Sequence, residues 1–175
     1  MGASYESVAN PLVVITGGEP FRQNIIPLIK GLRVNRFEVQ VETNGTLSPW
    51  GREPIPKKHP QFGVVVSPKA GKVHEDLWPL IIAYKYVVNA GSVLEKDGLP
   101  SSVLGLPAAP ARPHEGYRGP IYVQPAEEKN TVQYTTNLYE ADEQKNEMNL
   151  RRAIKSTMQF GYILCLQTHK LIGME

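Results

Sequence analysis

Six short apolar stretches punctuate the chain, at residues 12–16, 37–42, 62–67, 84–88, 121–124 and 162–167. Each is rich in Val, Ile, Tyr or Phe and is bounded by Gly, Pro, Asn or Ser, the pattern of buried strands. Between the first two, Ile25, Leu28, Ile29 and Leu32 recur at helical spacing, with Asn24 placed to cap the helix and Pro27 tolerable in its first turn. A second helix is predicted over residues 143–160, with Leu150, Ile154 and Met158 on its buried side and Gly161 as its stop. Strands alternating with helices predict an α/β fold with a largely parallel sheet joined by right-handed crossovers. Residues 48–60, with Pro49, Pro54, Pro56 and Pro60, and residues 90–119, rich in Gly, Pro, Ala and Ser, read as long irregular insertions.

Polar groups gather at one end of these strands. Thr16 leads into Gly17-Gly18-Glu19-Pro20, Glu42 into Thr43-Asn44-Gly45-Thr46, and Ser67 into Pro68-Lys69. Val88 runs into Asn89, Gln124 into Pro125, and Gln167 into Thr168-His169-Lys170. In parallel α/β architectures ligands sit at the carboxyl ends of the strands, where loops converge and backbone groups are free to bond them. Alternation along 37–42 puts Glu38, Gln40 and Glu42 on one face, a polar face suited to the lumen of a barrel-like sheet. Two readings of these ends stay open on residue chemistry alone. Each is either an ordinary polar turn or part of a ligand-binding edge. In Gly17-Gly18-Glu19-Pro20 two glycines permit close backbone approach and the carboxylate can accept from an amine, but the spacing is neither a dinucleotide fingerprint nor a P-loop.

Composition narrows the chemistry. The 175 residues are 41% hydrophobic and 21% charged, enough for one sizeable core and one domain spanning 1–175. The net charge of +2 comes from interspersed acids and bases, so no strong field draws in a polyanion, and nucleic acid is not expected as a partner. No apolar run approaches the roughly 20 residues that span a bilayer, no signal peptide opens the chain, and the expected compartment is the cytoplasm. Cys165 is the single cysteine, which excludes an internal disulfide and a set of thiolates, and within a strand it reads as a small core residue. His59, His74 and His114 lack metal-ligand spacing and read as solvated, whereas His169, at a strand end, divides between ligand contact and a structural hydrogen bond. Lys85, inside an apolar strand, needs a carboxylate if buried, and Glu42 is a candidate partner.

Taken in order, the motifs resemble the 7-carboxy-7-deazaguanine synthases, a branch of the radical S-adenosylmethionine enzymes. The segment from Val13 through Thr16 into Gly17-Gly18-Glu19-Pro20 resembles the family's glycine-rich methionine-binding motif. Val41-Glu42-Thr43-Asn44-Gly45-Thr46, Val65-Val66-Ser67-Pro68-Lys69, Tyr84-Lys85-Tyr86-Val87-Val88 and Val123-Gln124-Pro125 follow in the expected order. Leu166-Gln167-Thr168-His169-Lys170, together with Ser67-Pro68-Lys69, points to the deazaguanine branch. The resemblance implies a partial (β/α) barrel whose strand ends hold S-adenosylmethionine beside a pterin. It implies that 6-carboxy-5,6,7,8-tetrahydropterin becomes 7-carboxy-7-deazaguanine, a queuosine and deazapurine precursor, through a 5'-deoxyadenosyl radical that the cofactor supplies.

By that pattern the backbone at Gly17, Gly18 and Glu19 holds the methionine amino group, with Ser67 and Lys69 near the rest of the cofactor. Glu42, Gln124, Gln167 and His169 are the candidates for pterin contacts, since a planar ring edge with donors and acceptors needs carboxylate, amide and imidazole partners. The family also uses a 4Fe-4S cluster, held by three closely spaced cysteines ahead of the Gly-Gly-Glu-Pro strand, and Mg2+. No cysteine precedes Leu12 here, so the first strand and cluster loop are expected to be missing and the isolated chain to be inactive. The expected protein partner is a complementing polypeptide or a second copy. The alternatives are a truncated synthase and an inactive descendant that binds a pterin, a deazapurine or a protein.

Overall fold

The structure is a computed structural model, and it describes residues 10–51, 61–103, 108–130 and 140–168. β1 (Leu12–Ile15), α1 (Ile26–Val34), β2 (Glu38–Thr43), β3 (Gly63–Val66), β4 (Ile81–Val88) and β5 (Ile121–Pro125) follow one another along the chain. A small antiparallel pair, β6 (Lys129–Asn130) with β7 (Glu140–Ala141), precedes α2 (Glu143–Phe160) and the short β8 (Ile163–Leu164). The main sheet has the order β1-β2-β3-β4-β5-β8, and every neighbouring pair is parallel. Strand order that follows chain order, with every strand parallel, is the arrangement of an opened (β/α) barrel. Among the described residues β1 and β8 are its two edges. No helix among the described residues is long and apolar enough to cross a membrane.

Alternation sorts the sheet into two faces. Val39 and Val41 of β2, Tyr84, Tyr86 and Val88 of β4 and Val123 of β5 are buried in one core with Ile29 of α1 and Ala153 of α2. The opposite face carries Gln40 and Glu42 of β2, Lys85 of β4 and Gln124 of β5, as the parallel register requires. All six predicted strands form, although the last is far shorter than residues 162–167, and Gln167 lies beyond it.

Both helices form, but their buried faces differ from the sequence pattern. In α1 Ile29 is fully buried while Leu28 is half exposed, and Asn24 accepts from the Ile26 N–H at 3.3 Å although Ile25 is the capping residue. In α2 the buried residues are Asn149, Ala153 and Ser156, whereas Ile154 is 38% and Met158 82% exposed and Leu150 is only partly buried. The reason is polar docking. Asn149 accepts from the Ala90 N–H at 2.7 Å and donates to the Ala126 carbonyl at 3.0 Å; Asn146 likewise accepts from the Glu128 N–H and donates to its carbonyl. These amides satisfy backbone groups just past β4 and β5 that the sheet leaves unpaired, and they turn α2 so that its small residues face inward. Gly161, at φ 71°, ends the helix as expected.

The insertion after β4 is irregular but tied down over residues 90–103 and 108–119. Arg112 makes a two-pronged pair with Asp97, at 2.8 and 3.3 Å, and also donates to the Pro100 and Pro110 carbonyls. Tyr86 and Tyr162 donate to the Ala111 and Asp97 carbonyls, both at 2.7 Å. His114, expected to be solvated, is instead stacked on Trp78 with centroids 5.0 Å apart and shares a 3.2 Å hydrogen bond with the buried Tyr84 hydroxyl. Its imidazole closes an aromatic cluster with Tyr117, which a spacing test for metal ligands does not detect. His74 caps the turn that leads to β4 by accepting from the Asp76 N–H. His59 and the prolines at 54, 56 and 60 lie outside the described residues.

Candidate functional site

β1, β2, β3, β4 and β5 all end on one side of the sheet, and their carboxyl ends enclose a hollow of about 320 Å³. Thr16, Gly17 and Gly18 line it after β1; Glu42, Thr43 and Asn44 at the end of β2; Ser67 and Lys69 after β3. Lys85 and Val87 come from β4, Gln124 from β5 and Gln167 from beyond β8. A second, mainly apolar hollow of about 250 Å³, walled by Pro125, Ala126, Leu150 and Leu166, adjoins it and shares Gln124 and Gln167.

The turn after β1 is built for backbone exposure. Gly17 and Gly18 have φ of 93° and 53°, the left-handed region that side chains disfavour, and a Cβ on either would meet nothing within 4 Å. The space above these two residues is open, so their backbone can meet a ligand directly. Beneath them, Glu19 is 9% exposed and its carboxylate is held by three of the chain's own donors. It accepts from the Thr43 hydroxyl at 2.6 Å, the Asn44 N–H at 2.9 Å and the Phe21 N–H at 3.2 Å. The Glu19 carboxylate therefore locks the β1 loop to the β2 loop.

Lys85 reaches Glu42 across β3. Its ammonium donates to Glu42 Oε2 at 2.9 Å, with the side chains 21% and 29% exposed, which makes good the prediction that a lysine in this strand needs a carboxylate. Asn44 turns its carboxamide onto its own loop, accepting from the Thr46 N–H at 2.8 Å and the Thr46 hydroxyl at 2.6 Å. With Lys69 and Lys85 against Glu42, the lining has an excess of positive charge, favourable to a carboxylate-bearing ligand.

Seven residues singled out from the sequence thus meet in one place: Gly17, Gly18, Glu42, Ser67, Lys69, Gln124 and Gln167. Glu19 lies directly below them, and His169 lies outside the described residues. Thr16, Thr43, Asn44, Lys85 and Val87 complete the lining without having been singled out as ligand contacts, although each is within a quoted motif. Cys165 is half-buried past the end of β8, with its N–H bonded to the Val123 carbonyl at 2.9 Å. Among the described residues no group of three His, Cys, Asp or Glu side chains comes together as metal ligands would.

No family model matches the chain. A 7-carboxy-7-deazaguanine synthase from Rhodospirillum rubrum is 37% identical over 162 residues, covering 92% of this chain and 64% of that protein. The chain is homologous to the 7-carboxy-7-deazaguanine synthases. One from Rickettsia prowazekii is 36% identical over 169 residues, covering 94% of this chain and 59% of its own length. The chain therefore spans about three fifths of the length of these relatives. Among solved structures, QueE from Escherichia coli aligns over 89% of this chain and 56% of its own, with a TM-score of 0.48 and 21% identity.

Proposed function

We propose that this chain provides the S-adenosylmethionine and pterin pocket of a 7-carboxy-7-deazaguanine synthase, which converts 6-carboxy-5,6,7,8-tetrahydropterin to 7-carboxy-7-deazaguanine. The observation that carries the reading is the hollow at the carboxyl ends of the strands, where each element of the family pattern that the structure describes contributes to one continuous wall or, for Glu19, to its support. Relatives bearing that name at 36–37% identity support it.

The residues fit the cofactor in chemistry. The open Gly17-Gly18 backbone would receive the methionine amino group, and Ser67 and Lys69 would bond the remaining polar atoms. Bound S-adenosylmethionine would supply the hydrogen-abstracting chemistry. Glu42, Gln124 and Gln167 would take the polar edges of the pterin, and the positive excess would attract its carboxylate. Leu150 and Leu166 in the adjoining hollow offer ring-sized apolar cover that excludes water. The iron-sulfur cluster does not fit these residues, because 175 residues with one cysteine cannot supply three thiolates, and no described trio of ligands suits Mg2+. We place the cluster ligands on polypeptide outside residues 1–175.

Anaerobic reconstitution with iron and sulfide tests this reading. With a polypeptide carrying the three-cysteine segment of a relative, 5'-deoxyadenosine and 7-carboxy-7-deazaguanine are expected; without it, neither. Turnover by residues 1–175 alone would overturn the placement of the cluster ligands, and no turnover with the added segment would overturn the functional reading.

A further inference from the structure

Lys85 is a charged group in the hollow to which the family pattern gives no ligand. It and Glu42 project from the same face of β4 and β2, on either side of β3, whose Val65 pairs with Glu42 on one side and with Ala83, two residues before Lys85, on the other, and is 7% exposed. The carboxylate and ammonium meet above this apolar floor at 2.9 Å. Glu42 gives Oε2 to Lys85, and among the described residues no hydrogen bond reaches its other oxygen. An ammonium likewise carries more protons than the one it gives to Glu42. The pair is a side-by-side acceptor and donor, each with capacity to spare, held one hydrogen-bond length apart and partly shielded from water.

We infer that Lys85 and Glu42 together read the lactam edge of the bound ring, with the Glu42 carboxylate accepting from the ring N3–H and the Lys85 ammonium donating to the neighbouring C4 carbonyl. This rests on the pterin reading above and deepens it, since it names the edge that selects the substrate. Neighbouring donor and acceptor groups on a planar heterocycle are spaced to meet partners at this separation, and their order along the edge is what such a pair distinguishes. A 4-amino analogue presents the reverse order, a bare N3 acceptor beside an amino donor. It would set its amine against the ammonium and its lone pair against the carboxylate.

The test is calorimetric titration of the 175-residue chain with 6-carboxypterin and with its 4-amino analogue. Wild-type protein is expected to favour the 4-oxo ligand by about tenfold, the low end for a polar mismatch because the pair is partly solvated. Lys85→Met is expected to bring the two affinities together while keeping the wild-type circular dichroism. The swap of Glu42→Lys with Lys85→Glu reverses donor and acceptor and is expected to favour the 4-amino ligand. Equal affinities in the wild type, or an unchanged preference in Lys85→Met, would overturn the inference and leave the pterin reading standing. Binding of neither ligand by the wild type would overturn both.

Discussion

At the scale of single residues, Glu19 shows how a motif position can brace the loops that form a candidate site. Its buried carboxylate takes three hydrogen bonds that fasten the glycine turn to the loop after β2. Hydrogen bonds to an ionised group contribute about 1.5–3 kcal/mol each, and a glutamine must turn an N–H2 toward one of those donors. Glu19→Gln is therefore expected to lower stability by about 2–3 kcal/mol in urea titrations, and to weaken ligand affinity along with it, because the turn loses its anchor. Unchanged stability would mean that the latch is not formed in solution. This role is not legible in the sequence: Gly-Gly-Glu-Pro announces a turn with a carboxylate, and only the register of β1 against β2 brings Thr43 and Asn44 over it. The Glu42–Lys85 pair is more legible, because a lysine between buried aromatic residues needs a counter-charge, and Glu42 alternates onto the same face two strands away.

Among the elements, the strands were readable because β-branched runs bounded by turn residues have few other uses in a buried sheet. The helix faces were not. An apolar stripe at Leu150, Ile154 and Met158 reads as the core side of α2, yet Asn149, Ala153 and Ser156 are buried, since the backbone beyond β4 and β5 needs amide partners more than the core needs methionine. Period alone does not reveal that demand, as the partners at Ala90 and Ala126 are fixed by the sheet. Removing the amide while leaving both backbone groups buried costs about 1–3 kcal/mol for each unsatisfied group. Asn149→Ala is thus expected to destabilise by about 2–4 kcal/mol, read by chemical denaturation, and to speed hydrogen exchange at Ala90. A loss below 0.5 kcal/mol on the same ~1 kcal/mol scale would contradict polar docking as the reason for the helix's orientation.

For the molecule as a whole, the sheet, the insertion at 90–103 and 108–119 and the end of α2 are joined by tyrosines whose ionisation folding opposes. Burial pushes the Tyr84, Tyr86 and Tyr162 hydroxyls above the ordinary value of 10.0, Tyr86 most of all. A tyrosine with a raised folded-state pKa keeps its proton where the unfolded chain has lost it, so stability is complete below the unfolded value and falls as pH rises past it. Urea midpoints measured from pH 8.5 to 11 are expected to be flat at first and to fall from about 10, less steeply in Tyr86→Phe. A midpoint that holds to pH 11 would show that these hydroxyls are not buried together. The parallel order β1-β2-β3-β4-β5-β8 is what sets every strand's carboxyl end on one rim, so the fold and the candidate site stand on the same observation. The direct test is a backbone-resolved NMR titration of residues 1–175 with S-adenosylhomocysteine and then 6-carboxypterin. Shifts concentrated at Gly17, Gly18, Asn44, Lys69, Lys85, Gln124 and Gln167, with the second ligand adding to the first, are the predicted result. Shifts confined to the opposite rim, around Trp78 and His114, would contradict it.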